Sequence, residues 1–370
     1  MKRKGQVKFV PKEKTAFFST LKERVDAYFD QNHISKNANA SMVIKSIVML
    51  GIYIGPFIAL LILNPSFPLS LLLWSIMGIG LSGVGMAVMH DANHGAYSSN
   101  NRINDMMGTA LNLLGASIFN WKLQHNILHH TYTNIPHMDD DISDKPMLRF
   151  APNTNVKKYH KFQWIYAFLF YGITTLYWVM LKDFVQFSKY KKEGVNNNSR
   201  KENSVSLIKI ILVKLFYVFT ILVMPTLFFD IPFGQIVVGF LLMHFIAGVL
   251  LTVTFQLAHS VEGTTHPIPN EEGVIENNWA IHQMNTTVNF SRHNKLISWY
   301  VGGLNFQVEH HLFPKISHVH YPAISAIVKE TAEEFGVPYL ENKTLLQALR
   351  SHIATLQRFG KLPDLNEAIG

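Results

Sequence analysis

The stretch 307–314 reads QVEHHLFP and gathers Gln307, His310 and His311 within five residues. Two other stretches share its character. HDANH sets His90 and His94 four apart, and QHNILHHTYTN holds His125, His129 and His130. His259 stands alone in QLAHS. Residues four apart share one face of a helix, so His90/His94, His125/His129 and Gln307/His311 can each present two side chains to one centre. Each group taken singly has an ordinary reading. An isolated histidine at a helix end is more often a hydrogen-bonded residue than a ligand, and spaced histidines also arise by chance on polar helix ends. Three clusters plus one make a metal site the better account. Eight imidazoles exceed the needs of a closed zinc site and suit two ions with about four nitrogens each. Iron, copper, nickel and zinc all accept imidazole, and HExxH is absent, so the residues point to a dinuclear histidine site and leave the metal open.

The elements that carry these groups are apolar. Of 370 residues, 48% are hydrophobic and 16% charged, with 18 histidines and a net charge of +8. Absence of cysteine excludes disulfides, thiolate metal sites and cysteine nucleophiles. The basic excess has no stripe interleaved with stacking aromatics, so membrane topology accounts for it and no nucleic-acid partner is expected. Four segments, 42–63, 69–89, 207–229 and 234–258, have the roughly 20 apolar residues that a spanning helix needs. The connections 64–68 and 230–232 lack Lys and Arg, whereas the opposite flanks are rich in both, which puts both termini in the cytoplasm. A fifth apolar segment, 162–181, carries Trp164, Tyr166, Tyr171, Tyr177 and Trp178. Were it to cross, the histidine clusters would fall on opposite sides, so it is expected to lie along the interface, as is 106–119. The match of Gly78, Gly80 and Gly83 to GxGxxG falls inside an apolar helix, where small residues for close helix packing explain it better than a dinucleotide site.

The expected fold is therefore an all-α integral membrane protein, with four transmembrane helices in two hairpins, a cytoplasmic helical cap and interfacial helices. Residues 1–41 form a cytoplasmic arm without a cleavable signal, 42–330 the membrane domain with its catalytic cap, and 331–370 a helical tail. The polar stretch 189–203 reads as a solvated loop.

HDANH, HNILHH and QVEHH, in this order and around two hairpins, resemble the three histidine boxes of the membrane fatty acid desaturases. HHTYTNIPHMDDDI, WAIHQMNTTVN at 279–289 and HHLFP are also similar to sequences of that family. The resemblance implies two iron ions that activate O2, the co-substrate, and remove two hydrogens from adjacent methylenes of a fatty acyl-CoA or acyl-lipid drawn from membrane lipids. Carried over residue by residue, it makes His90, His94, His125, His129, His130, His259, His310 and His311 the iron ligands. Gln307 stands where many relatives have histidine and is the weaker donor, reaching iron through water or not at all. That glutamine is typical of the front-end group, which works toward the carboxyl end and often carries a fused cytochrome b5. The 41 residues before the first span are too few for such a domain and HPGG is absent, so a separate ferredoxin or cytochrome b5-type electron donor is expected.

Asp91, Asp139, Asp140, Asp141 and Glu309 are candidate acceptors for imidazole N–H groups, and a solvated acidic loop explains Asp140 and Asp141 at least as well. His282 lies in a family-like stretch, His137, His160 and His293 are left unassigned, and His318 and His320 default to the surface, with a headgroup contact as the alternative. Basic residues at 2–14, 157–161 and 189–192 could dock an acidic carrier or anionic headgroups, although ordinary positive-inside bias explains them equally. The nearest rival is a related di-iron hydroxylase or sphingolipid or carotenoid oxygenase. A metal transporter would need ionisable groups near mid-bilayer, yet among the histidines only His244 lies within a span. The short arm and lack of organelle signals favour a bacterial inner membrane.

Overall fold

The computed structural model describes residues 7–10, 16–142 and 146–363. The basic residues Lys2, Lys4, Lys12 and Lys14, and positions 364–370 of the expected tail, lie outside the described residues. The chain forms two compact units. One comprises Met1–Ala38, Leu123–Ala167 and Thr254–Gly370, the other Asn39–Lys122 and Phe168–Val253.

The principal helices are α1 (Phe17–Gln31), α2 (Ala40–Leu63), α3 (Phe67–Asn93), α4 (118–132), α5 (Lys158–Lys192), α6 (Arg200–Phe229), α7 (Phe233–His259), α8 (Trp279–Thr286), α9 (Gln307–Leu312), α10 (Tyr321–Glu334) and α11 (Leu345–Lys361). Four two-residue strands make two parallel pairs, β1 (Lys8–Phe9) with β2 (Val274–Ile275) and β3 (Asn289–Phe290) with β4 (Glu341–Asn342).

Among the described residues five helices, α2, α3, α5, α6 and α7, are long and apolar enough to cross a membrane. Their outward residues include Ile47, Ile62, Leu215 and Phe228, each more than 60% exposed, a surface suited to lipid rather than water. The chain is an integral membrane protein. The segment 162–181, expected to lie along the interface, forms part of α5, a helix of 35 residues. The expected solvated loop 189–203 is also shorter. Lys189–Lys192 ends α5, Arg200 begins α6, and Asn196 and Asn203 are buried and joined at 2.6 Å.

Between α2 and α3, and again between α6 and α7, the turn hinges on a left-handed residue, Asn64 at φ 41° and Asp230 at φ 53°. Asn and Asp tolerate that conformation better than other non-glycine residues. The small-residue run in α3 permits close packing on both sides. A Cβ at Gly80 would lie 2.5 Å from Tyr53 N of α2, and one at Gly78 would lie 2.7 Å from Met243 O of α7. In the same unit the Lys214 ammonium of α6 is buried. It meets Asp183 Oδ2 at 2.5 Å and donates to Gly115 O at 2.7 Å and Trp178 O at 2.8 Å. Asp183 in turn accepts from Ser117 N at 3.0 Å. Such a pair is tolerable only while every polar group is satisfied, because removing one partner strands a buried charge.

The histidine-rich unit is built on α1. Phe17, Leu21, Val25 and Phe29 recur every fourth residue, all nearly inaccessible, and form one stripe. They pack with Met284 of α8, Val308 and Leu312 of α9, and Ile324 and Val328 of α10 into one core. Each such side chain contributes about 1.5–3 kcal/mol by burial. This helix falls within the segment read as an arm. His318 and His320, expected at the surface, are buried, and His320 Nε2 lies 2.9 Å from Asn37 O. The guanidinium of Arg149 donates to the carbonyls of Pro152, Thr154, Phe359, Leu362 and Pro363, tying the end of α11 to the 149–154 loop.

Two measurements test this reading. Lys214→Met is expected to cost about 3–5 kcal/mol of stability in detergent. Adding Asp183→Asn to it should recover part of that loss, and additive losses would count against the buried pair. Burial also holds the imidazoles of His266, His282 and His352 down to about 4 each, against 6.5 when free. Between those pH values the unfolded chain binds more protons, so stability present above pH 6.5 is lost as pH falls toward 4. Thermal melting from pH 7 to 4.5 should show this fall, and His352→Gln should flatten it by about 1.4 kcal/mol per pH unit.

Candidate metal centre

The second histidine box does not lie on a regular α-helix. Lys122–His129 is π-helical, and each turn there holds more residues than an α-turn. The change brings His130, five residues on, to His125, with their Nε2 atoms 3.3 Å apart and their ring centroids at 4.8 Å. His129 stands 5.3 Å from His125, ring to ring. Another π-helical turn, Val84–Val88, precedes His90 in α3.

Within the histidine-rich unit six imidazoles converge from α4, α7 and α9. His129, His259 and His311 form one group and His130, His310 and His311 another, with all potential ligand atoms of each group within 4.8 Å of one another. His130 and His311 are stacked at 4.4 Å, and the His310 ring lies 4.6 Å from His130.

Buried partners orient the rings through their Nδ1 atoms. His129 Nδ1 meets Asp139 Oδ2 at 3.0 Å, His259 Nδ1 meets Thr286 O at 3.3 Å, and His310 Nδ1 meets the Tyr321 hydroxyl at 3.2 Å. His311 Nδ1 meets Gln283 Oε1 at 2.8 Å. An acceptor at Nδ1 puts the proton there and leaves the Nε2 lone pair for a metal. Nε2 of His129 is buried and has no hydrogen-bond partner among the described residues, which fits such a role. No ring in the set requires protonation to make these contacts, so the donor set suits a first-row transition ion.

Asp139, a sequence candidate, is thus beside an imidazole. Burial alone would raise its carboxyl, yet His129 and the N–H groups of Asp141 and Asn134 hold it below the usual carboxylate range. Of the other two, for which a solvated loop was the alternative, Asp140 is buried and Asp141 half-buried, and Asp141 accepts from Gln124 at 2.6 Å. Glu309 does something else. Its carboxylate accepts from Tyr339 and Asn289, each at 2.8 Å, and burial pushes it up to about 7 despite those bonds. Asn289 Oδ1 accepts from Val308 N at 2.9 Å, so the network pins α9 to β3 rather than orienting an imidazole. Gln307 lies inside the cluster, its Nε2 2.9 Å from His259 Nε2.

The second unit carries the remaining box. His90 in the last turn of α3 and His94 just past its end form a buried pair with ring centroids 4.7 Å apart, and Trp121 packs edge-on to both at 5.8 and 5.6 Å. Asp91 is buried between them in sequence.

The sequence reading missed Gln283. From α8 its Oε1 meets His311 and accepts from Thr133 Oγ1 at 2.9 Å, while its Nε2 donates to His130 O at 3.1 Å. Trp279, four residues earlier on the same face, donates to the same carbonyl at 3.0 Å. The usable signal was that spacing within WAIHQ, where His282 drew attention instead. His282 packs against Phe9 at 5.1 Å. Gln283→Leu is therefore expected to free the His311 ring and lower metal content about 10–100-fold in affinity. Gln283→Glu should restore much of it, and metal analysis of purified protein distinguishes the outcomes.

A family model described as Fatty acid desaturase matches residues 65–343. The sn-1 linoleoyl-lipid 6-desaturase of Synechocystis sp. is 34% identical over 96% of this chain and 98% of its own length. The acyl-lipid (8-3)-desaturase of Physcomitrium patens is 34% identical, covering 97% of this chain and 74% of its own. The Delta(5) fatty acid desaturase A of Dictyostelium discoideum is 33% identical, covering 96% and 77%.

Proposed function

The chain belongs to the fatty acid desaturase family, and from that premise we propose that it inserts a cis double bond into a lipid-linked acyl chain. It is an oxidoreductase acting on fatty acids. The observation that carries the proposal is the convergence of imidazoles whose Nδ1 atoms are held by buried partners. We assign two iron ions to His90, His94, His125, His129, His130, His259, His310 and His311, with Gln307 a weaker donor acting through water. When bound, the irons supply the O2 chemistry and the oxidising strength that an unactivated C–H bond demands. The protein's own part is to hold ring orientation, exclude bulk water and align the acyl carbons.

Alignment has a candidate basis in the second unit. A narrow apolar slot there is lined by Leu81, Gly85, Met89, Leu114, Trp178 and Leu251. Its apolar walls suit methylene groups, with Thr175 and His244 the polar members of the lining. Front-end insertion is favoured by Gln307 in the third box and by the 6- and Delta(5)- positions in the relatives' names. Electrons would come from a separate ferredoxin or cytochrome b5-type protein. In this reading four spans cross, α5 lies along the interface, both termini are cytoplasmic and the membrane is a bacterial inner membrane.

Expression in a host, followed by gas chromatography–mass spectrometry of derivatised fatty acids, tests the assignment. A new unsaturated acid is expected with the intact chain and not with His310→Ala/His311→Ala. A hydroxylated acid in its place would sink the desaturase proposal.

A further inference from the structure

Desaturation converts –CH2–CH2– and O2, with two electrons and two protons, into –CH=CH– and two waters, the electrons arriving from a one-electron carrier protein. A buried centre therefore needs a way in for protons and a way out for water. This inference rests on the desaturase reading.

Among the buried polar atoms of the histidine-rich unit without a hydrogen-bond partner in the described residues are Asn134 Oδ1, Ser260 Oγ and Thr355 Oγ1. Their residues are at most 1% exposed. Leaving such a group unsatisfied costs about 1–3 kcal/mol. Buried polar groups of this kind are where proteins hold internal water, each molecule joining about three of them.

The three atoms are not scattered. At the inner end, Asn134 N donates to Asp139 Oδ2 at 3.0 Å, the oxygen that holds His129, and Asn134 Nδ2 donates to His259 O at 3.0 Å. Ser260 follows His259 in the chain. Its carbonyl accepts from His352 Nδ1 of α11 at 2.7 Å, and Thr355 lies three residues beyond His352 on the same helix. At the outer end Ser351 Oγ accepts from Glu262 N at 2.8 Å. Both residues line a surface cavity of about 380 Å³ together with Asn342, Thr344, Gln347 and Arg350. The sequence of contacts runs from the imidazoles to solvent within one unit.

We propose that Asn134, Ser260 and Thr355 line a hydrated path along the junction of the 259–262 segment with α11, carrying protons to the metal centre and product water from it. These residues do not touch substrate; they position water.

A high-resolution map of the full chain in lipid nanodiscs gives the direct test. Ordered density is expected about 2.7–3.2 Å from each of the three atoms. If the atoms are instead satisfied by one another or by rearranged side chains, the path does not exist. Thr355→Val is the functional test, with Thr355→Ser as the variant that keeps the hydroxyl. Thr355→Val should retain its metal and take up electrons, yet yield several-fold less unsaturated product per electron with a larger solvent isotope effect, and Thr355→Ser should restore both. Unchanged yield and isotope effect in Thr355→Val would overturn the path's role even if water were seen. Wild-type protein that forms no unsaturated acid would instead count against the desaturase reading, leaving the water map to stand or fall alone.

Discussion

A buried imidazole has two nitrogens, and neither can be left without a purpose at low cost. In the histidine-rich unit that constraint is met in one way repeatedly. Nδ1 goes to a fixed neighbour, such as Asp139, the Thr286 carbonyl, Tyr321 or Gln283, and the ring is turned so that Nε2 faces inward. Each partner differs chemically, but each sets ring angle and proton position together. Gln283 does more than one such task, since the same amide also grips the backbone of His130. One side chain thereby couples the second and third boxes.

Those partners are only as rigid as what carries them. Helices α8 and α9 are 8 and 6 residues long, too short to be stable alone. Their rigidity comes from outside. The four-residue stripe of α1 supplies an apolar floor shared with α8, α9 and α10. Glu309 adds a polar clamp through Tyr339 and Asn289, and Arg292 steadies it by pairing with Glu341 at 2.9 Å. A carboxylate one residue from a buried imidazole thus serves the helix. Its burial is affordable because three neutral or cationic groups surround it.

In the other unit the governing constraint is lipid, where backbone polar groups must be satisfied internally and small residues allow helices to approach. The long helices answer this with Gly78 and Gly80 at contacts, and with π-helical turns at 84–88, 178–182 and 219–223 that shift side-chain direction without breaking the helix. The turn before His90 means that box follows a helix already rotated from ideal register.

Much of this protein was legible in one dimension. Apolar runs of spanning length, charge-poor turns and three spaced histidine groups depend on local chemistry, and local chemistry is written residue by residue. They were enough for an integral membrane helical protein and for six imidazoles that converge within one unit. The sequence did not show that α1, within the segment 1–41, packs on a core, because a four-residue stripe says only that a face is apolar, not that a partner exists to cover it. It put Glu309 beside an imidazole and overlooked Gln283 because adjacency along the chain is a poor guide to adjacency in space. It also treated His125 and His129 as sharing a regular helical face, whereas a π-helical segment swings His130 to His125. Tertiary structure alone decided which nitrogen of each ring is held and by what. That choice depends on acceptors up to 178 residues away, as from Thr133 to His311, which only the folded chain brings within hydrogen-bond reach.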